Sequence, residues 1–224
     1  MKRSILLAAL LACTLAANAQ SAHFPDIGSG NVRVPVTSLK QARMANTILQ
    51  QFDFSCGSAA IATLLTHHYG HRVTEQEVLQ EMYATGDQAK IQKEGFSLLD
   101  MKRYLDRLGY AADGFAQPLE KLAEARIPAV VLINEGGYHH FVVVKGFDAH
   151  RVLIGDPAKG IRALPRREFD TVWIGKLLFV IHNRTEQARF NLRADWQAVP
   201  RAPLASARGQ DLGGVLPKMG SGDF

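Results

Sequence analysis

The chain has 224 residues, 47% of them hydrophobic, and a formal net charge of +5 at pH 7. Lys2 and Arg3 carry two of those charges, and residues 184–224 hold six basic against four acidic side chains. The portion between is close to neutral. That balance excludes an electrostatic footprint for nucleic acid, and at this length one well-cored domain plus a tail is expected.

The N-terminus reads as a cleavable signal peptide over residues 1–19. Lys2 and Arg3 form its positive end, Ile5 to Ala17 its apolar stretch, and Ala17-Asn18-Ala19 its small-x-small cleavage pattern. The apolar stretch is shorter than the roughly 20 residues that span a bilayer. Leu10-Leu11-Ala12-Cys13 resembles a lipobox, but the apolar segment before Cys13 is short for one, so lipidation at Cys13 is the weaker reading. The periplasm is therefore the expected location.

Residues 20–33 are expected to be loose, and Val34-Pro35-Val36 to form a short edge strand, where proline is tolerated. Thr37 to Gln50 reads as a polar helical or turn segment. Ser55 stands at an N-cap position, and Cys56 to Tyr69 carries Ala60, Ile61, Leu64 and Leu65 at helical spacing before Gly70. Thr74-Glu75-Gln76-Glu77 is a capping-box pattern for a second helix through about Tyr83. Ser97-Leu98-Leu99-Asp100 opens a third that stops at Gly109, and Pro118 a short fourth through about Ala125.

The texture then changes to strands. Ala129 to Ile133 is a β-branched run, Asn134-Glu135-Gly136-Gly137 has turn chemistry, and strands are expected over His140–Phe147, Arg151–Gly155 and Leu177–His182. Pro165 to Val172 can insert one helical turn. Helices first and an antiparallel meander afterwards predict an α+β domain over residues 34–183. Residues 184–224 lack apolar periodicity and are expected to be a largely disordered tail.

Without the signal peptide one cysteine remains, Cys56, which then has no intramolecular disulfide partner. A thiol is a useful nucleophile only as a thiolate, and a helix N-terminus with a nearby imidazolium favours that form. Gly57 is read as letting a substrate backbone approach the sulfur. His140 opens an apolar strand and Asp156 follows the next one. A short turn near Asp148-Ala149 brings their far ends together, where a carboxylate can orient the ring. His139 and His140 alternate across the strand, so only one can face the sulfur; the apolar run favours His140. Gln50, or its neighbour Gln51, can supply an amide beside the Cys56 N–H to a developing oxyanion. His67 and His71 stand four apart, but Gly70 between them and the lack of a third ligand favour a solvated helix end over a metal pair.

Gln-x5-Cys-Gly opening a helix, then His-Phe-Val-Val, then Asp-Pro-Ala sixteen residues after the histidine, resembles the C39 peptidases. The likeness spans about Val34 to Asn183. It implies a papain-like cysteine peptidase fold with Cys56 as nucleophile, His140 as general base and acid, Asp156 as orienter and Gln50 as oxyanion donor. It implies cleavage after small, Gly-Gly-like residues and no cofactor or metal. Ser55 stands where many members carry Asp. The chain also has no ATP-binding P-loop, so no ATP is implied. It looks like the stand-alone exported form, similar to the peptidase of functional-amyloid secretion systems. The implied partners are a secreted amyloid or leader peptide and outer-membrane secretion machinery. The alternative is a non-proteolytic, chaperone-like accessory of such a system. A Cys–His cell-wall amidase fits less well, because of the upstream glutamine and the Asp-Pro.

Overall fold

The computed structural model describes residues 21–22, 34–35 and 38–199. The signal-peptide segment with Cys13, nearly all of residues 20–33 and the chain beyond Val199 lie outside the described residues. The chain divides into two units, Met1–Ser38 and Leu39–Phe224. In the first, strand β1 (Ser21–Ala22) pairs antiparallel with β2 (Val34–Pro35).

The second unit opens with helix α1 (Leu39–Ala45), a loop, and helix α2 (Cys56–Thr63), every residue of which is buried. Such an all-round buried helix needs partners on several sides. It finds them in α3 (Glu75–Thr85), α5 (Leu98–Arg107) and the central strand β5 (Tyr138–Phe147). The expected helix end at Tyr69 is not regular: Leu64–His68 winds as a π-helical turn. Both expected capping boxes are present, Thr74 with Glu77 and Ser97 with Asp100. Between them lies α4 (Gln88–Glu94), capped by Asp87, which the apolar pattern does not reveal because Ile91 is its only buried residue.

The sheet adds β3 (Ala112–Ala116), β4 (Ala129–Glu135), β6 (Arg151–Asp156), β7 (Gly160–Pro165) and β8 (Leu177–Ile181). Its six strands run β3-β8-β4-β5-β6-β7, each neighbouring pair antiparallel. This is the α+β class expected. Side-chain alternation puts Phe141 and Val143 into the core under α2, α3 and α5. Val142 and Val144 pack into a second core with Leu122 of α6 (Glu120–Ala125) and Phe169 of α7 (Arg166–Val172). Strands β3 and β7 were not expected; their sequences, Ala-Asp-Gly-Phe-Ala and Gly-Ile-Arg-Ala-Leu-Pro, lack an apolar run and gain order by pairing with β8 and β6.

Residues 184–199, read from sequence as the start of a disordered tail, are folded. They form a 3₁₀ turn (Thr185–Gln187) and α8 (Arg193–Gln197), with Asp195, Ala198 and Val199 buried. Polar contacts hold this strap: Asn191 N donates to Lys145 O at 2.8 Å, and Arg189 N to His68 O at 2.9 Å. Apolar periodicity carries no record of such contacts.

Candidate active site

Cys56 is the first residue of α2 and is 7% exposed. Ser55 before it is buried, and its hydroxyl serves the preceding turn instead of capping the helix: it donates to Phe52 O at 3.0 Å and accepts from Phe52 N at 3.2 Å. That closes the Phe52–Ser55 turn and fixes where the helix begins. Burial pushes the Cys56 thiol above its ordinary value, while the N–H groups of Phe141, Gly57 and Cys56 itself pull it down and the Asp156 charge pushes it further up. The helix-start amides thus act as expected but do not outweigh burial. A thiolate at this sulfur needs a neighbouring base to receive its proton and then stand beside it as a cation.

Gly57 also has a packing role. A Cβ there would meet Met101 Cε at 2.8 Å and Phe96 Cβ at 3.0 Å, so glycine lets the start of α2 pack closely on α5 and on the loop before it.

His140 is 2% exposed, and its Nε2 lies 3.3 Å from Oδ2 of the fully buried Asp156. His139 is exposed, as alternation on β5 requires. The two residues are brought together by the β5–β6 pairing, in which Val143 faces Gly155, so Asp156 comes alongside the start of β5. The sulfur's contact with the Phe141 N–H places Cys56 against this same strand start, next to His140 in the chain. Burial alone would raise the Asp156 carboxyl. The His140 ring 3.3 Å away, the Arg162 charge and the Ala158 N–H together hold it below its usual value, so the group is a carboxylate.

The loop before α2 is pinned at successive points. Ile48 N donates to Thr63 Oγ1 at 2.9 Å, and Gln50 N to Pro157 O at 3.0 Å. Gln50 Nε2 donates to Phe52 O at 2.9 Å, while its Oε1 is buried without a hydrogen-bond partner; Gln51 is exposed. The glutamine amide therefore borders the site but is turned onto its own loop.

Three residues at the site were not foreseen. Tyr138 lies tilted against the His140 ring with centroids 5.3 Å apart and donates its hydroxyl to Asp53 O at 3.1 Å, and the hydroxyl feels the Cys56 charge. Arg162 and Glu135 form ion pairs around Asp156. The aromatic two residues before the histidine was a readable sign for Tyr138. Arg162 stands on the unforeseen strand β7 and Glu135 was read into a turn, so neither single charge gave one. Beside Phe141, an apolar cleft of about 480 Å³ is lined by Leu98, Leu99, Leu132 and Ile174 among others. No group of three His, Cys, Asp or Glu side chains that can hold a metal is found among the described residues.

A thiol at a helix start, a buried imidazole–carboxylate pair and a bordering amide are a set of groups that can perform acyl transfer. Comparison with known proteins agrees with that chemistry. The peptidase C39 family matches residues 44–185. The chain is 39% identical over 180 residues to the probable functional amyloid protease FapD of Pseudomonas aeruginosa, covering 80% of each. It is 35% identical over 139 residues to the lactococcin-G-processing and transport ATP-binding protein LagD of Lactococcus lactis, covering 61% of this chain and 19% of that one. The crystal structure of the peptidase domain of Streptococcus ComA shares the fold, with a TM-score of 0.51 at 20% identity over 61% of this chain and 97% of that one. On that match and these likenesses, the chain belongs to the peptidase C39 family and is a cysteine peptidase.

Proposed function

We propose that Cys56 is the nucleophile, His140 its general base and acid, Asp156 the group that orients His140, and Gln50 the side-chain oxyanion donor. The observation that carries this reading is the buried His140–Asp156 pair, 3.3 Å apart, beside the strand start whose Phe141 N–H reaches the Cys56 sulfur. His140 takes the Cys56 proton, and the thiolate attacks a peptide carbonyl. The negative oxygen is held by the Cys56 N–H and by Gln50 Nε2 once the amide leaves Phe52 O. The C–N bond breaks as His140 protonates the leaving amine. Water then adds to the thioester with His140 as base, and the acid product leaves the sulfur.

The proposed substrate is a secreted or leader-bearing protein cut after small, Gly-Gly-like residues, in the periplasm after export by the N-terminal signal. FapD, a probable functional amyloid protease, is the relative that supports a secreted amyloid and its export machinery as partners. The test is incubation of the protein with a synthetic peptide containing an internal Gly-Gly and with the same peptide carrying Leu-Leu. Cleavage after the second glycine, lost in Cys56→Ala and in His140→Ala, is expected. Equal cleavage by wild type and Cys56→Ala removes the assignment. Absence of cleavage with tight peptide retention favours a chaperone-like accessory.

A further inference from the structure

Asp156 does not face His140 alone. Its Oδ1 accepts the N–H groups of Ala158 at 2.8 Å and Lys159 at 3.2 Å. The oxygen that faces the imidazole, Oδ2, also accepts Arg162 Nη2 at 2.7 Å, a closer contact than the 3.3 Å to His140 Nε2. The same Arg162 nitrogen lies 2.8 Å from Glu135 Oε1, and Glu135 Oε2 is 2.6 Å from Lys159 Nζ. Arg162 and Glu135 keep only 17% and 21% of their side-chain surface. Arg162 stands on β7, opposite Ile154 of β6, and Glu135 ends β4, opposite Tyr138 of β5. The guanidinium therefore reaches from the edge strand β7 across the ends of β6 and β5 to the end of β4, tying together the strand ends that carry the site.

We infer that Arg162 is a positioning residue of this site: it holds the Asp156 carboxylate toward His140 and tempers that carboxylate's charge, with Glu135 as its counter-ion. The inference rests on the triad assignment above. A guanidinium stays charged throughout the working range, and here its one Nη2 donates to both carboxylates at once. A permanent cation on the shared oxygen makes the imidazolium less favourable and the nearby thiolate more favourable than a lone buried carboxylate would. Glu135 opposes that cation and Lys159 opposes Glu135, so the four charges form one graded set. The other titratable groups at the ring are Tyr138 on its own strand and Cys56 from α2, with Asp53 entering through the Tyr138 contact.

Removal of the cation should move every transition at the site to higher pH, and removal of Glu135 should move them lower. A purely structural role does not produce opposite signs. The probe is iodoacetamide, with the alkylation rate of the Cys56 peptide followed by mass spectrometry from pH 4 to 10 and the Cys13 peptide read separately. In wild type, pairing with the His140 imidazolium should keep reactivity at pH values lower than burial alone would allow, and that reactivity should be lost in His140→Gln. Arg162→Gln should displace the profile upward by roughly one pH unit and Glu135→Gln should displace it downward. Arg162→Lys should keep its position while slowing the maximum rate. If Arg162→Gln does not fold, the Glu135→Gln shift alone decides. Unmoved profiles, or shifts of one sign in both variants, overturn the inference while the His140→Gln result still upholds the triad. A wild-type profile that His140→Gln leaves unchanged overturns the triad and this inference with it.

Discussion

The backbone N–H of Gln50 donates to the carbonyl of Pro157 at 3.0 Å, so the loop carrying the glutamine is fastened to the residue after Asp156. Two segments more than a hundred positions apart in the chain are thereby held as one wall of the site. The tie is made by main chain, which leaves the Gln50 side chain free to change partners without loosening the loop. In the present arrangement that side chain donates to Phe52 O at 2.9 Å and leaves Oε1 buried and unpaired. An unpaired buried acceptor costs about 1–3 kcal/mol, so this conformation is easily displaced by a better one.

Gln50→Ala is accordingly expected to spare the fold and harm the chemistry. Loss of one oxyanion donor typically lowers kcat by about 10²–10³ while KM changes little. The thermal midpoint should stay near wild type because the bond to Pro157 remains. Steady-state kinetics on a Gly-Gly peptide, beside a thermal melt, reads both. Equal kcat in Gln50→Ala would transfer the oxyanion role to the backbone alone.

The parts of the fold that were legible are those whose signals are local. The Thr74–Glu77 and Ser97–Asp100 boxes are closed by side chains three residues apart, and both appeared as read. Cys56, His140 and Asp156 were legible because each sits at a recognisable start or end of an apolar element. Arg162 and Glu135 were not, since each is a single charge whose meaning depends on β4, β5, β6 and β7 lying in that order in the sheet. The strap over residues 184–199 was missed for a similar reason. Its anchors are the buried side chains of Lys145 and His68, which lie in elements read as apolar or solvated.

His68 makes that strap sensitive to acid. Its ring is fully buried in the π-helical turn, and Nδ1 lies 2.5 Å from Arg189 O. Burial first, and then the Lys145 charge, lower its pKa from 6.5 to about 3, against the opposing Arg189 carbonyl. The folded state therefore keeps a neutral ring while the unfolded chain takes up a proton below pH 6.5. The stability this group contributes is complete above that pH and declines as the solution is acidified toward 3. At pH 5 the loss is roughly 2 kcal/mol. Thermal melts from pH 7.5 to 4.5 should show the midpoint falling in wild type and falling less in His68→Gln, whose amide can still donate to the Arg189 carbonyl. Parallel curves for the two proteins would exclude His68 as the source.

Lys145 and Asp195 form the other anchor, and its removal should reach the active site from a distance. Both side chains are essentially inaccessible, with Lys145 Nζ 3.3 Å from Asp195 Oδ2 and also bonded to Asn46 O. Burial lowers the Lys145 pKa, and the Asp195 charge keeps the ammonium form in place. Asp195 Oδ1 accepts Asn46 Nδ2 at 2.8 Å, so the pair also holds the start of the loop that runs through Gln50 to Cys56. Asp195→Ala leaves an uncompensated buried cation, for which about 3–5 kcal/mol of destabilisation is expected. Lys145→Met with Asp195→Leu removes both charges at similar volume and should recover most of that loss. The double variant still lacks the Asn46 contact, so kcat should remain below wild type after the melting temperature has returned. Denaturant unfolding and peptide cleavage measured on the same preparations separate the two effects. Full recovery of both would mean that the strap stabilises the domain without steadying the catalytic loop.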